Sequence, residues 1–272
     1  MSSSANSKSA LPASVFQYTP TAYTPRHASW PYNPSDFTRQ DSSSDSQFYG
    51  PPRFVTHIDD AAIASLRKYY DTALPSRGRI LDFCSSWVSH YPARIEHAVD
   101  SGELKVMGMG MNKAELEKNE FLNAGRIIQD LNDKPEIPQE ASGEEKLDAS
   151  TCVVSIDYLT KPVDVLKSLR QRTKPGGTVH LIISNRCFPT KAVSRWLRVS
   201  EEERLQMVGD FLHFAGWEGI EILDLKEGED QGGEAGQDQD AQRGLKDLMR
   251  MMGMGASDPL WCVRGRNGSP EV

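Results

Sequence analysis

From residue 51 onward, apolar residues recur with two different periods, and the segments carrying them alternate along the chain. In THIDDAAIASLRKYYDTAL, Ile58, Ala62, Leu66 and Tyr69 or Tyr70 fall at helical spacing, with Asp59 and Asp60 in the first turn, so a helix is predicted. GRILDFC (78–84) predicts a short buried strand bounded by Gly78. A brief helix around 92–100, ended by Gly102, leads to a second strand at LKVMGM (104–109). Asn112 and Glu115 have the spacing of a capping box and start the helix NKAELEKN; RIIQD (126–130) is a third strand. Residues 131–147 are polar, contain two prolines and predict a loop. STCVVSI (150–156) is a β-branched fourth strand. Thr160 is placed to cap the helix KPVDVLKSLRQRT, with Pro162 in its first turn. KPGG (174–177) predicts a turn and TVHLIIS (178–184) a fifth strand. Pro189 opens a helical stretch through Trp196, and Ser200 with Glu203 caps the helix SEEERLQMVGDFLHFAG. GIEILDL (219–225) and PLWCVRGR (259–266) are the sixth and seventh strands. Between them lie a flexible Gly/Gln/acid-rich insertion (226–243) and a short helix at LKDLMRMM.

Strands alternating with helices imply βαβ units: an α/β fold with a doubly wound, mainly parallel seven-stranded sheet and helices on both faces. The domain is expected to span 51–267, with 268–272 as a tail. Residues 1–50 are rich in Ser, Pro, Thr and Tyr without apolar periodicity, and read as a disordered tail whose removal leaves the fold intact. The tail carries Lys8 and Arg26 but no acid before Asp36. A cytoplasmic protein with a plain solvated tail is the first expectation, and an organelle transit peptide the alternative.

A net charge of −7 without a basic stripe argues against sequence-independent nucleic-acid binding. No apolar run approaches the ~20 residues that span a bilayer. Cys84, Cys152, Cys187 and Cys262 form no CxxC pair and read as reduced, mostly buried intracellular thiols. His57, His90, His180 and His213 lack metal-ligand spacing, so no metal is expected. His180 lies within a strand and reads as structural, whereas His57 and His90 flank the segments expected at the ligand edge and are candidate bases.

The most specific strings are ILDFCSSW, VMGMGMNKAEL, IIQDLND, VVSIDYLTKPVDVLKSLRQRTKPGGTVHLIIS and NRCFPTKAVSRW. On these the chain resembles the class I S-adenosylmethionine (SAM)-dependent methyltransferases, type-11-like branch, over roughly residues 51–266. The resemblance implies a Rossmann-like sheet, SAM as cofactor and methyl transfer to a small-molecule acceptor. It implies that Asp82, ending the first strand, and the turn Ser85, Ser86 and Trp87 face the cofactor. The glycines of that turn fall here on Cys84, Ser86 and Val88, so a turn that depends on left-handed glycine is expected to take another path. Gly108, Gly110 and Asn112 occupy the end of the second strand, where the family's ribose-holding acid aligns with Gly110. Asp130 matches the acid that binds the adenine amino group, with Leu131 beside it, and Ser155 and Tyr158 occupy the cofactor and substrate edge. Asn185, Arg186 and Phe188 are implied substrate contacts; Arg186 is suited to a bidentate grip on an anion. Trp87 and Tyr158 offer aromatic faces to a sulfonium cation.

Two other functions remain open on the sequence. The missing glycines and ribose acid also suit a non-catalytic binding or assembly protein on the same fold. A nicotinamide-dependent reductase fits less well, because no G-x-G-x-x-G follows the first strand. The acceptor and the oligomeric state are not legible.

Overall fold

The computed structural model describes residues 18–226 and 258–268. The insertion beyond its first residue, the LKDLMRMM segment and residues 269–272 lie outside the described residues.

In chain order the elements are β1 (Thr21–Ala22), α1 (Asp45–Phe48), α2 (Asp60–Ala73), β2 (Gly78–Phe83), α3 (Ala93–Asp100), β3 (Leu104–Gly110) and α4 (Lys113–Lys118). There follow β4 (Gly125–Ile128), α5 (Gln139–Ser142), β5 (Leu147–Val153), α6 (Pro162–Arg172), β6 (Thr173–Ser184), α7 (Glu201–Phe214), β7 (Glu218–Asp224) and β8 (Leu260–Arg266). The predicted caps at Asn112 and Ser200 form as the residue spacing requires, and Asp59, expected in the first turn, stands just ahead of α2 as its cap. Asp59 accepts the Ala62 amide at 2.8 Å, Asn112 that of Glu115 at 3.1 Å, and Ser200 that of Glu203 at 3.3 Å.

One sheet of eight strands runs β1-β7-β8-β6-β5-β2-β3-β4. The five strands from β6 to β4 are parallel, and β8, β7 and β1 continue the sheet antiparallel. Counted in chain order, the parallel part has the 3-2-1-4-5 arrangement of a doubly wound sheet, so the order reverses between β2 and β5 and leaves a crevice above their C-terminal ends. Successive β2 residues face opposite ways. Ile80 packs in the apolar layer beneath α2 and α3, while Leu81 and Phe83 pack in the layer beneath α6 and α7. Burial on both faces explains why the strands read as continuous apolar runs.

The structure corrects four expectations. First, of the tail expected over 1–50, residues 1–17 lie outside the described residues, whereas residues 18–50 pack onto the domain. β1 pairs antiparallel with β7, which makes the eighth strand, and the phenols of Tyr23 and Tyr32 both donate to the buried carboxylate of Asp210. Second, no helix forms between Pro189 and Trp196, because the N-terminal segment takes the backbone donors: Ser194 N–H bonds Thr38 O at 2.7 Å and Arg195 N–H bonds Asp36 O at 3.0 Å. Third, Thr160 does not cap α6; its amide and hydroxyl both donate to Asn132 Oδ1. Fourth, the KPGG segment is not a turn ahead of β6 but lies inside it. The pairing with β5 shifts register there, and Gly176 takes a φ of 80° that a side chain would strain.

Candidate functional site

A cavity of about 350 Å³ opens at the switch point, above the C-terminal ends of β2, β3 and β5. Its floor is the turn after β2. Asp82 is buried there and accepts three side-chain hydroxyls: Ser85 and Ser89 at 2.7 Å each, and Thr151 at 3.0 Å. Burial pushes its carboxyl above the ordinary carboxylate range, against the pull of those three bonds. Asp82 therefore ties the turn to the sheet, and its oxygens are already engaged.

The turn takes a left-handed step without glycine. Cys84 adopts a φ of 53°, a left-handed conformation that costs an ordinary residue about 1–2 kcal/mol. His90 (φ 56°) and Val154 (φ 42°) also line the cavity, and a β-branched residue at positive φ is a marked outlier. Three of the four non-glycine positive-φ residues among those described thus ring one cavity, which is where backbone strain is expected to gather around a binding site.

Close approach governs the second strand. A Cβ on Gly110 would stand 2.2 Å from Ser85 O, so no acid can occupy this position while the β2 turn packs across it. Asn112 cannot stand in for that acid either. Its Oδ1 caps α4 and its Nδ2 donates to Tyr49 O and Gly50 O, at 2.9 and 2.8 Å. Glu115, one turn into α4, lines the cavity instead. Its Oε1 accepts the Arg53 amide at 2.7 Å, and burial raises its carboxyl above the usual range despite that bond.

At the end of β4, Asp130 lines the cavity with one oxygen accepting the Asn132 amide at 2.8 Å. Its Oδ2 has no hydrogen-bond partner among the described residues. Leu131, Ser155, Tyr158, Arg186 and Phe188 also line the cavity, with Ser85, Ser86 and Gly110. Three predicted site residues do not. Trp87 turns its indole N–H to Val55 O at 3.0 Å, Gly108 lies beneath Leu122, and Asn185 is exposed beside the Ser184 hydroxyl.

The opposite wall comes from the segment 45–58, whose first six residues fall in the segment that reads as a tail by composition. Asp45, Tyr49, Arg53 and His57 line the cavity from that side. Asp45 is anchored by Arg39, Asn132 and Lys191. Asn132, which also donates to Tyr158 O and accepts from Thr160, joins this strap to the sheet edge. One sequence signal for the strap existed: seven aromatic residues from Tyr18 to Tyr49, where a disordered segment is poor in them. Phe188 meets His57 and Tyr158 at ring separations of 5.6 and 6.0 Å. Burial disfavours the charged form of both cavity histidines. Burial lowers His57, helped by the charge of Arg53, and pushes His90 down to about 4, helped by Arg67 and His57. His180 is enclosed between the Tyr69 and Thr178 hydroxyls, far from any ligand role.

Among the described residues, no group of three or more His, Cys, Asp or Glu is placed to hold a metal, and no helix is long and apolar enough to cross a membrane. No protein-family model matches the chain, and no curated protein does. Solved structures do resemble it. A SAM-dependent methyltransferase from Archaeoglobus fulgidus has a TM-score of 0.47 at 12% identity, over 76% of this chain and 93% of that one. A SAM-dependent methyltransferase from Thermotoga maritima, described as a possible histamine N-methyltransferase, gives 0.46 at 17%, over 76% and 89%. Haemonchus contortus phosphoethanolamine N-methyltransferase 2, solved with SAM, gives 0.44 at 16%, over 77% of this chain. The chain spans about half the length of that enzyme (53%). What the cavity can hold follows from its own residues.

Proposed function

We propose that the cavity binds SAM and that the chain transfers its methyl group to a small-molecule acceptor. The observation that carries this reading is one cavity that joins the strained β2 turn, the glycine crossing at Gly110 and the unused carboxylate oxygen of Asp130. A nucleoside with a short charged tail matches that sequence of surfaces. Asp130 Oδ2 is positioned to accept the adenine amino group, beside the Leu131 backbone. Glu115 takes the ribose hydroxyls in place of the acid that Gly110 cannot carry. The Ser85 and Ser86 segment faces the amino-acid end. SAM supplies an electrophilic methyl group when bound.

The chain's own residues do the rest by position. Tyr158 and Phe188 exclude water and present aromatic faces to a cation, an attraction of about 0.5–2 kcal/mol. In-line displacement at a methyl group needs alignment and desolvation more than acid–base help. Where the acceptor must lose a proton, the neutral imidazoles of His57 and His90 can take it.

Asp130→Ala tests the adenine contact. A charge-assisted hydrogen bond contributes about 1.5–3 kcal/mol, so S-adenosylhomocysteine should bind roughly 10-fold to 100-fold more weakly, by calorimetry at one pH, with the melting temperature unchanged. Equal affinities would remove Asp130 from the site.

A further inference from the structure

We propose that Arg53 is an anion-binding residue of this cavity, whose guanidinium receives a carboxylate of the bound ligands; the inference rests on the SAM reading above. Arg53 lines the cavity, half-buried, and no carboxylate lies within ion-pairing distance of its guanidinium among the described residues. The neighbouring charges are committed elsewhere. Asp45 pairs with Arg39 and Lys191, and Asp258 neutralises the other cavity arginine, Arg186, at 2.7 Å. Glu115 hydrogen-bonds only the Arg53 main-chain amide; its carboxylate feels the guanidinium charge through space without ion-pairing to it.

The guanidinium is nonetheless fixed. Its carbon stands 4.6 Å from the centre of the Phe48 ring and 5.6 Å from that of Phe188, and one Nη donates to Phe48 O at 2.9 Å. Stacking holds the planar fork in one orientation while leaving further N–H donors unspent, which is the arrangement that grips a carboxylate with two parallel bonds. A partly desolvated cation whose nearest carboxylate, Glu115, acts only through space is under-compensated in the free protein, and a ligand carboxylate in direct contact removes that penalty. Two ligands can bring this group: the amino-acid end of SAM, or an acceptor bearing a carboxylate against the Phe188 and Tyr158 rings.

The two sources separate in one calorimetric series on the full chain. Titrants are S-adenosylhomocysteine and 5′-deoxy-5′-methylthioadenosine, which keeps the nucleoside but lacks the amino-acid end. Benzoate is then titrated into the S-adenosylhomocysteine-loaded proteins. If the cofactor brings the carboxylate, Arg53→Ala should weaken S-adenosylhomocysteine roughly 10-fold to 100-fold while methylthioadenosine binds as before. If the acceptor brings it, both nucleosides bind Arg53→Ala normally, whereas benzoate binds only wild type. Arg53→Lys, which keeps the charge without the fork, should fall between wild type and Arg53→Ala. The proposal is overturned if a folded Arg53→Ala protein loses both nucleosides equally, or if its affinities for all three probes match wild type. A wild type that binds both nucleosides, with Arg53→Ala indifferent to all three probes, removes Arg53 alone; a wild type that binds neither removes the SAM reading and this inference with it.

Discussion

Removal of residues 1–48 is expected to destabilise the domain severely, and Asp45→Ala alone should cost about 3–5 kcal/mol, the range for breaking a buried ion pair by deleting one partner. Lys191 is fully buried, and its ammonium is compensated from this segment: Asp41 at 3.0 Å, Asp45 at 3.1 Å and the Ser43 carbonyl at 2.9 Å. Deletion would strand that charge. It would also leave the Asp210 carboxylate without its two phenol donors and uncover the Trp196 and Phe211 side chains. Burial alone would raise the Asp45 carboxyl, but bonds from Arg39 and Asn132, the Arg39 charge and the Lys191 contact outweigh it and hold it below the ordinary range. Its contribution is therefore present above the unfolded carboxylate pKa and lost as pH falls through the folded one. Urea titration of wild type and Asp45→Ala at pH 7 reads the effect. Unchanged midpoints for Asp45→Ala, or a cooperative wild-type-like melt for the deletion, would mean that the strap is not part of the fold.

The second large effect concerns Asp157. This carboxyl is fully enclosed, its Oδ2 has no hydrogen-bond partner among the described residues, and burial pushes its pKa up to about 8 against the weak pull of its own backbone and Arg204. The folded state thus holds a proton that the unfolded chain releases near its ordinary value of 3.8. A raised pKa gives stability that is full below the unfolded value and is lost as pH rises through the folded one. Between about pH 4 and pH 8, wild type should therefore lose several kcal/mol from this group, because one proton held only by the folded state is worth about 1.4 kcal/mol per pH unit. Asp157→Asn cannot ionise, so its stability relative to wild type should increase steadily over that interval. Parallel urea midpoints for the two proteins from pH 5 to pH 8 would show that Asp157 is not buried as a neutral acid.

Most of the sheet was legible because buried parallel strands are apolar throughout and the caps at Asn112 and Ser200 use local spacing. Asp82, Asp130 and Tyr158 could be placed at the cavity because strand ends at a switch point share one edge. The strap was not legible. Its contacts, and those of the N-terminal segment before it, join residues from about thirty to more than a hundred positions apart, such as Trp87 with Val55, Asp45 with Lys191 and Tyr32 with Asp210, and no local period records them. The left-handed turn at Cys84 was hidden for a related reason, since residue type alone argues against a positive φ that tertiary packing imposes. Asn112 reaches the cavity wall with its amide engaged by Tyr49 and Gly50, and Trp87 lies outside the lining with its indole on Val55, because sequence cannot show that a side chain's polar atoms are already spent on neighbouring backbone.

Calorimetric titration of the full chain with S-adenosylhomocysteine, with NADPH as the control, tests the central claim most directly. The switch-point cavity predicts saturable one-to-one binding of S-adenosylhomocysteine, lost in part with Asp130→Ala, and no saturable heat from NADPH. Saturable binding of NADPH, or no S-adenosylhomocysteine binding by the folded wild type, would contradict it.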